Sequence, residues 1–261
     1  YFCRAWQLPA EDAQEIRTRQ SSGQIKIVCL CLSRMANFDD LDPLVQEDNV
    51  QLVMLRAGQA IPGDADLVLI PGSKSTRGDL AFLRAQGWDI DLQAHRRRGG
   101  HILGLCGGYQ MLGEVITDPE GLDGLPGECE GLGLLKVTTT MDAQKTLREV
   151  TAQHSKTGLM LKGYEIHLGN TNGPDCQRPF AFIGQKRDRR PDGACSEDGH
   201  VQGSYLHGLF CEDDFRRAFL TRLGAPVSSL SFEKTVDDVL DQLADHIEQQ
   251  LDVDAILSCA R

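Results

Sequence analysis

The sequence predicts an α/β protein whose central, mostly parallel sheet is flanked by helices. Four short apolar runs lie in the first 105 residues, at 25–32, 50–56, 66–70 and 102–105. They are apolar almost throughout, as are strands that a parallel sheet buries on both faces. Helical patterns at 75–86 and 89–98 separate the later runs. Strands that alternate with helices are typical of parallel sheets.

The remainder of the chain predicts a more mixed architecture. After an irregular connection over 118–133, a strand is predicted at 134–140. Short antiparallel or mixed strands are predicted around 148–152, 163–169 and 180–183. A charged segment, 186–199, is interpreted as an exposed loop whose charges are solvated. A last strand over 201–205 and an amphipathic helix over 213–223 complete the pattern.

Composition narrows the classes of function. The chain has 261 residues, of which 41% are hydrophobic and 25% charged, values ordinary for a soluble globular protein. A net charge of −11 argues against nucleic acid or an anionic membrane as the main partner. Nine cysteines, an odd number without a CxxC pair, favour a reducing cytoplasm over a disulfide framework or a zinc site.

Three regions are predicted along the chain. Residues 1–24 are polar and are interpreted as a linker, and 25–225 form the main domain. Residues 226–261 are expected to be a helical extension packed on that domain. Its apolar side chains recur at helical spacing, at Val236, Val239, Leu240, Leu243, Ile247 and Leu251. We interpret this stripe as core packing.

Gly104 to Gly113 is the stretch with the clearest chemistry. Cys106 lies between a predicted strand end and a predicted helix start, with glycines on both sides. This arrangement is required for a nucleophile elbow, a crowded turn in which only glycine permits close approach. The helix N-terminus favours the thiolate, and free N–H groups in the turn can bind an oxyanion. The alternative is a buried structural cysteine beside a tight turn.

His207 is the best candidate for the base that such a cysteine needs. It follows the last predicted strand and precedes Gly208, about a hundred positions after Cys106. If the two preceding strands are neighbours in one sheet, the two side chains meet at its edge. His167, within Gly163 to Gly169, is the rival candidate.

Several motifs together resemble a known family. They are residues 36–44, Pro71-Gly72-Ser73-Lys74-Ser75-Thr76, 104–113, Gly131-Leu132-Gly133-Leu134-Leu135, 163–169 and Tyr205-Leu206-His207-Gly208-Leu209-Phe210. The elbow segment resembles that of the class I, triad-type glutamine amidotransferases. The wider set is similar to the branch of that family that amidates corrinoid precursors of cobalamin. The resemblance covers about residues 24–223.

The resemblance implies a flavodoxin-like domain in which Cys106 attacks the side-chain amide of glutamine and releases ammonia. It implies an oxyanion hole from backbone N–H groups of Gly107 and the Gly72-Ser73 loop, with Gln110 also at the glutamine site. In the family, the ammonia passes to an N-terminal synthetase domain, which uses ATP and magnesium. The acceptors are carboxylates of adenosylcobyrinic acid a,c-diamide.

The sequence departs from the family pattern in two ways. Most triad amidotransferases carry glutamate two residues after the histidine, where this chain has Leu209. The site is therefore written as a Cys106–His207 dyad; Glu165 is a candidate to orient His207, to bind substrate or to pair with a basic residue. The chain also has no GxxxxGK[ST] phosphate loop, so we expect no cofactor or metal in it and a synthetase domain in cis or in trans.

Three alternatives stay open at the level of sequence. The first is an amidotransferase half for another acceptor, as in cobyrinic acid a,c-diamide synthesis or cell-wall lipid amidation. The second is a non-catalytic binding module of the same fold, and the third is a cysteine peptidase.

Overall fold

The structure, a computed structural model, describes residues 24–144, 146–184 and 188–259, together with Arg4, Gln7 and Leu8. The rest of the predicted 1–24 linker lies outside the described residues. The strands are β1 (Ile25–Leu30), β2 (Met35–Ala36), β3 (Val50–Leu55), β4 (Leu67–Ile70), β5 (Gly72–Ser73), β6 (His101–Leu105), β7 (Val115–Asp118), β8 (Gly127–Glu130), β9 (Thr138–Thr140), β10 (Thr146–His154), β11 (Met160–His167), β12 (Asn170–Asn172), β13 (Ala181–Ile183), β14 (Arg190–Asp192), β15 (Ala194–Cys195), β16 (Val201–Ser204) and β17 (Leu206–His207). The α-helices are α1 (Asp42–Val45), α2 (Thr76–Ala85), α3 (Trp88–Arg97), α4 (Gly107–Leu112), α5 (Asp213–Arg222), α6 (Phe232–Gln250) and α7 (Val253–Cys259).

The central sheet has six strands in the order β15-β16-β6-β4-β1-β3. All neighbours pair in parallel except β15, which forms an antiparallel edge. Numbered along the chain, the five parallel strands stand in the order 2-1-3-4-5, the flavodoxin-like arrangement. The predicted fold class is therefore confirmed.

Burial explains why the apolar runs become strands. Every residue of β4 is at most 1% exposed, and five of the six residues of β1 are buried. Such strands need cover on both faces, and the helices that follow them supply apolar side chains, including the fully buried Trp88 of α3 and Leu83 of α2. The core thus lies around the central sheet, and the strand ends are left for polar chemistry.

A second sheet, β14-β13-β10-β11-β17, is antiparallel throughout. Its last strand, β17, contains His207, whose partner on β11 is Tyr164. A third sheet has the order β12-β9-β7-β8, and β2 pairs with β5 in a small ribbon. These additions determine what surrounds the strand ends of the central sheet.

Two predicted loops contain strands. Within 118–133, predicted to be irregular, Gly127–Glu130 forms β8, while the predicted strand at 134–140 shortens to Thr138–Thr140. Within 186–199, Arg190–Asp192 and Ala194–Cys195 form β14 and β15. These edge segments lack apolar alternation, and tertiary pairing overrides their weak local preference.

A buried ion pair links α5 to the N-terminal half of the domain. Arg216 and Glu47 are both fully buried, and Arg216 Nε donates to Glu47 Oε1 at 2.6 Å. Arg216 Nη1 also donates to the carbonyl of Phe210 at 2.8 Å. The guanidinium therefore holds the segment that follows His207.

The prediction that the C-terminal apolar stripe is core packing is wrong for three of its six residues, while Val239 is buried and Val236 and Leu243 are half-buried. Within α6, Phe232 and Val239 are buried, whereas Leu240 and Ile247 are exposed, as is Leu251 after the helix. The helix has the predicted amphipathic spacing, but the domain fully buries only Phe232 and Val239. Among the described residues, no helix is both long enough and apolar enough to cross a bilayer.

Candidate active site

Cys106 occupies a strained elbow at the carboxyl end of β6. Its backbone has φ 51° and ψ −109°, a conformation that residues other than glycine rarely adopt, and α4 begins at the next residue. Backbone strain of this kind persists only where the surroundings enforce it, and it is concentrated at functional sites. Cys106 is 9% exposed, and its thiol donates to the carbonyl of Ile166 at 3.3 Å. The structure therefore places the cysteine as a nucleophile elbow does.

The glycines after Cys106 permit the close packing of this elbow. A Cβ on Gly108 would lie 2.0 Å from the carbonyl oxygen of Ile70, at the end of β4. A Cβ on Gly107 would lie 3.1 Å from the backbone nitrogen of Ser73. The first turn of α4 thus lies directly against the Gly72-Ser73 loop, as the predicted oxyanion hole requires.

The sheet brings His207 to the same edge as Cys106. Strand β16 pairs in parallel with β6, with Ser204 opposite Leu105, and Cys106 N donates to Ser204 O at 2.8 Å. The segments that carry Cys106 and His207 therefore leave the ends of adjacent strands, as the sequence analysis expected. His207 is fully buried, and its Nε2 has no hydrogen-bond partner among the described residues.

Asp40 is the partner of His207 that the sequence analysis missed. Its Oδ2 lies 2.7 Å from His207 Nδ1, and its Oδ1 accepts from Gly208 N at 2.7 Å. Asp40 is 3% exposed. The only sequence signal was its place in the resembling stretch 36–44, where Asp39 and Asp42 are equally plausible without a structure.

The protonation of His207 depends strongly on the charge of Asp40. Burial alone lowers the pKa of His207, but the Asp40 carboxylate, together with Cys106, raises that pKa well above its usual value. The direction follows because a nearby negative charge stabilises the imidazolium. Of these two groups, Asp40 has the larger effect on the pKa of His207.

A cavity of about 460 Å³ opens beside Cys106. The predicted site residues Ser73, Cys106, Gly107 and Gln110 line it, as do Lys74, Asp123 and His167. Lys74 and Asp123 give its rim opposite charges. Such a cavity is large enough for an amino acid, and its charges suit a zwitterionic head group.

Gln110 lines the cavity, but its amide is bound to the protein. Its Oε1 accepts from Thr76 Oγ1 at 2.9 Å, and its Nε2 donates to Leu168 O at 2.8 Å. A weaker contact of 3.2 Å reaches Tyr205 Oη. Gln110 therefore braces the loop after β11 against the elbow, rather than presenting a free amide to glutamine.

Ser73 is held in a network centred on Asp79. The hydroxyl of Ser73 donates to Asp79 Oδ2 at 2.6 Å and accepts from Ser75 N at 2.9 Å. Asp79 is fully buried and also accepts from Ser33 Oγ at 2.5 Å. The loop that carries the backbone of Gly72 and Ser73 is therefore rigidly supported.

The suggestion that Glu165 orients His207 does not match the geometry. The Glu165 carboxylate accepts from Arg148 Nε at 2.9 Å and from Arg190, and it lies 3.7 Å from His167 Nε2. It is fully buried, and the structure gives the third expected possibility, pairing with basic residues in the fold. The same contact shows that Arg190 is not simply solvated, as predicted for its loop.

His167, the rival candidate for the base, lies on the cavity wall, but its contacts differ from those of His207. Its ring stacks on Tyr205 with centroids 3.9 Å apart, and it faces Glu165. It carries none of the Asp40 contacts of His207. Among the described residues, no group of three or more histidine, cysteine or acidic side chains is arranged to hold a metal ion.

Comparison with known proteins identifies the family of this chain. Residues 26–215 match the CobB/CobQ-like glutamine amidotransferase domain family, and the chain belongs to that family. The curated relatives carry a more specific name than the family does. The chain is 61% identical, over its whole length, to cobyric acid synthase of Bradyrhizobium diazoefficiens and 57% identical to that of Cereibacter sphaeroides. It spans 53% of each of these proteins, about half of their length.

Solved structures share the fold at low sequence identity. A Thermotoga maritima structure described as PurLQS has a TM-score of 0.54 at 17% identity, over 84% of this chain and 99% of that one. A crystal structure of a glutamine amidotransferase has a TM-score of 0.54 at 18% identity, over 75% of this chain and 97% of that one. Similarity at this level supports the fold alone.

Proposed function

We propose that this chain is the glutaminase half of a cobyric acid synthase. The observation that supports this most strongly is the strained elbow at Cys106, whose strand is the direct neighbour of the strand that leads to His207. Its family membership and the names of the curated relatives it matches support the class of reaction. The product of this half is ammonia for a synthetase domain.

In the proposed reaction, His207 accepts the thiol proton and Cys106 Sγ attacks the side-chain amide carbon of glutamine. The tetrahedral intermediate collapses as its C–N bond breaks, and His207 returns the proton to the leaving nitrogen, so that ammonia departs. A γ-glutamyl thioester remains on Cys106. Water, deprotonated by His207, then hydrolyses that thioester to glutamate and the free thiol.

Backbone N–H groups supply the electrostatic stabilisation in this scheme. Gly107 is the first residue of α4, so its N–H has no partner within the helix. Ser73 N lies next to Gly107, on a loop that Asp79 supports. The two N–H groups are proposed to bind the oxyanion, while Lys74 and Asp123 bind the carboxylate and ammonium of glutamine.

The acceptor half of the reaction belongs to another domain. The relatives are about twice as long as this chain, which leaves room for a synthetase domain in cis. We propose that this domain uses ATP and magnesium to activate carboxylates of a corrinoid, adenosylcobyrinic acid a,c-diamide. The eight cysteines within the described part of the chain are all free, which supports the proposal that the protein works in a reducing cytoplasm.

The first test is covalent labelling with a diazo-ketone analogue of glutamine, read by intact mass. We expect one adduct on the parent chain, none on Cys106→Ser, and labelling slowed by at least about 100-fold in His207→Ala, because general base catalysis is lost. Cys129→Ser, at a half-buried cysteine outside the cavity lining, is the matched control and should label normally.

Absence of the adduct, even with the N-terminal half of a cobyric acid synthase added, would favour a non-catalytic binding module.

Glutaminase activity of the 261-residue chain alone is expected to be weak, because coupling to a filled acceptor site limits wasteful hydrolysis. The acceptor is then tested by adding that half with ATP, magnesium and the corrinoid. Amidation of cobyrinic acid instead would support the related diamide-forming reaction.

A further inference from the structure

We propose that Asp40 is the third member of the active site and the positioning residue of His207, in place of the glutamate expected at position 209. This inference rests on the proposed function and assigns a residue from a distant part of the chain to the same site. Asp40 and His207 are 167 positions apart in the sequence. Asp40 acts through His207 and does not itself contact glutamine.

Both oxygens of Asp40 are committed to the segment that carries His207. One lies 2.7 Å from Nδ1, and the other accepts from the N–H of Gly208, also at 2.7 Å. Because a carboxylate can only accept, Nδ1 carries the hydrogen, and in the neutral ring Nε2 is left as the acceptor. This is the tautomer that a base for a thiol proton requires.

Two local features of the backbone, a strand pairing and a left-handed residue, bring Asp40 to this position. Strand β2 pairs with β5, with Ala36 opposite Gly72, so the chain that leaves β2 begins beside the oxyanion loop. Asn37 then adopts φ 57° and ψ 57°, a left-handed conformation that asparagine tolerates better than most residues. A 3-10 turn over Phe38–Leu41 follows and places Asp40 in the interior.

The imidazole ring is also packed against Tyr164 on one face and lies close to Gly72 at Cε1. The ring of Tyr164 stacks on it, with centroids 5.2 Å apart and planes 19° apart. A Cβ on Gly72 would lie 3.3 Å from His207 Cε1, so the absence of a side chain there leaves space for the ring. The ring can therefore turn little, and its orientation is set by the Asp40 hydrogen bond.

The other titratable groups near His207 have different partners. Asp39 accepts from Tyr164 Oη at 2.9 Å, and burial, followed by the charge of Asp40, raises the pKa of Asp39. Burial likewise raises the pKa values of Tyr164 and of Cys211, which lies near both aspartates. Of the two adjacent carboxylates, Asp40 is thus the one that bonds the imidazole.

The test compares Asp40→Asn with Asp39→Asn in the 261-residue chain. Asparagine keeps the volume and can still accept from Gly208, but it cannot stabilise the imidazolium. We expect Asp40→Asn to lower kcat for glutamine hydrolysis by about 10²–10⁴-fold, with KM changed less than about threefold. Asp39→Asn should stay within about threefold of the parent chain.

A second measurement follows His207 directly by NMR titration of its ring, with His207→Ala used for assignment. In the parent chain we expect protonation to persist well above pH 6.5 and the Nδ1 proton to resonate far downfield. In Asp40→Asn the titration midpoint should fall and that proton signal should disappear. If Asp40 served only to accept from the N–H of Gly208, the midpoint would be unchanged.

Two outcomes would overturn the assignment. One is a folded Asp40→Asn variant with parental kcat in a chain that hydrolyses glutamine. The other is a parent His207 that titrates at or below about pH 6.5, the ordinary histidine value, which can be measured even if the variant does not fold. Absence of glutaminase activity in the parent chain even with the N-terminal half of a cobyric acid synthase added, with the His207 titration as expected, would contradict the proposed function instead.

Discussion

At the scale of single residues, the site depends on where side chains are absent as much as on where they are present. Gly108 approaches the end of β4 so closely that its Cβ would lie 2.0 Å from Ile70 O. That contact is with backbone, so no side-chain rotation relieves it. The short distance between β4 and α4 is what brings Cys106 and the Ser73 loop together.

We therefore expect Gly108→Ala to destabilise the chain by about 3 kcal/mol or more, because the backbone must shift to relieve overpacking. Urea denaturation measures the change. Gly63→Ala is the control, because a Cβ there would meet nothing within 4 Å, and its effect should stay within about 0.5 kcal/mol. Equal stability of the two variants would show that the elbow does not depend on this close approach.

At the scale of elements, the antiparallel sheet has a charged brace at Glu165. Its buried carboxylate on β11 joins Arg148 of β10 to Arg190 of β14. Burial by itself raises the pKa of Glu165, but His167 and the two arginines together lower that pKa to about 2. The brace aligns the strand that carries Tyr164 and the Ile166 carbonyl, and thus one wall of the site.

This brace predicts a particular pH dependence. Since the folded pKa of Glu165 is depressed, its contribution to stability is present above the unfolded value of 4.5 and is lost as pH falls towards about 2. At pH 7 we expect Glu165→Gln to lower the free energy of unfolding by about 1–3 kcal/mol, a value reduced because both arginines are partly exposed.

The measurement is thermal or urea unfolding of both chains from pH 7 down to pH 2. The difference between the parent chain and Glu165→Gln should shrink as the carboxylate becomes protonated. Glu149→Gln, at an exposed position on β10, should match the parent chain throughout. A difference that does not depend on pH would mean that Glu165 stabilises the sheet by packing alone.

At the scale of the whole molecule, the C-terminal helices are unequally attached to the domain. Phe232 is 5% exposed and Val239 is fully buried, while Ile247 and Leu251 are exposed. Phe232 N also donates to Asp213 Oδ1 at 3.0 Å, which ties the start of α6 to α5. The first half of α6 is thus part of the packed domain, and the rest lies on its surface.

Two truncations test this division. A chain that ends at Ala244 should lose less than about 1 kcal/mol of stability, because it retains both buried side chains. A chain that ends at Leu230 should lose about 3–5 kcal/mol, since it exposes the surfaces that Phe232 and Val239 cover. Calorimetric melting distinguishes them, and a large loss for the longer truncation would mean that the exposed stripe is packed after all.

The sequence by itself determined the features that are written in local patterns. Buried strands of a parallel sheet must be apolar along their length, so β1, β3, β4 and β6 were visible as runs. An elbow requires small residues around its nucleophile, and that spacing marked Cys106. His207 was predicted because a strand and a glycine enclose it, and because strand ends share one edge.

Only the tertiary structure decided which distant side chains meet. Asp40 reaches His207 because β2 pairs with β5, and nothing in the local pattern separates it from Asp39. Gln110 lines the cavity, but its amide is bound within the protein, and Glu165 pairs with two partly exposed arginines rather than with His207. Hydrogen bonds and ion pairs between remote segments depend on the path of the chain, whereas periodicity records only whether each residue faces the core.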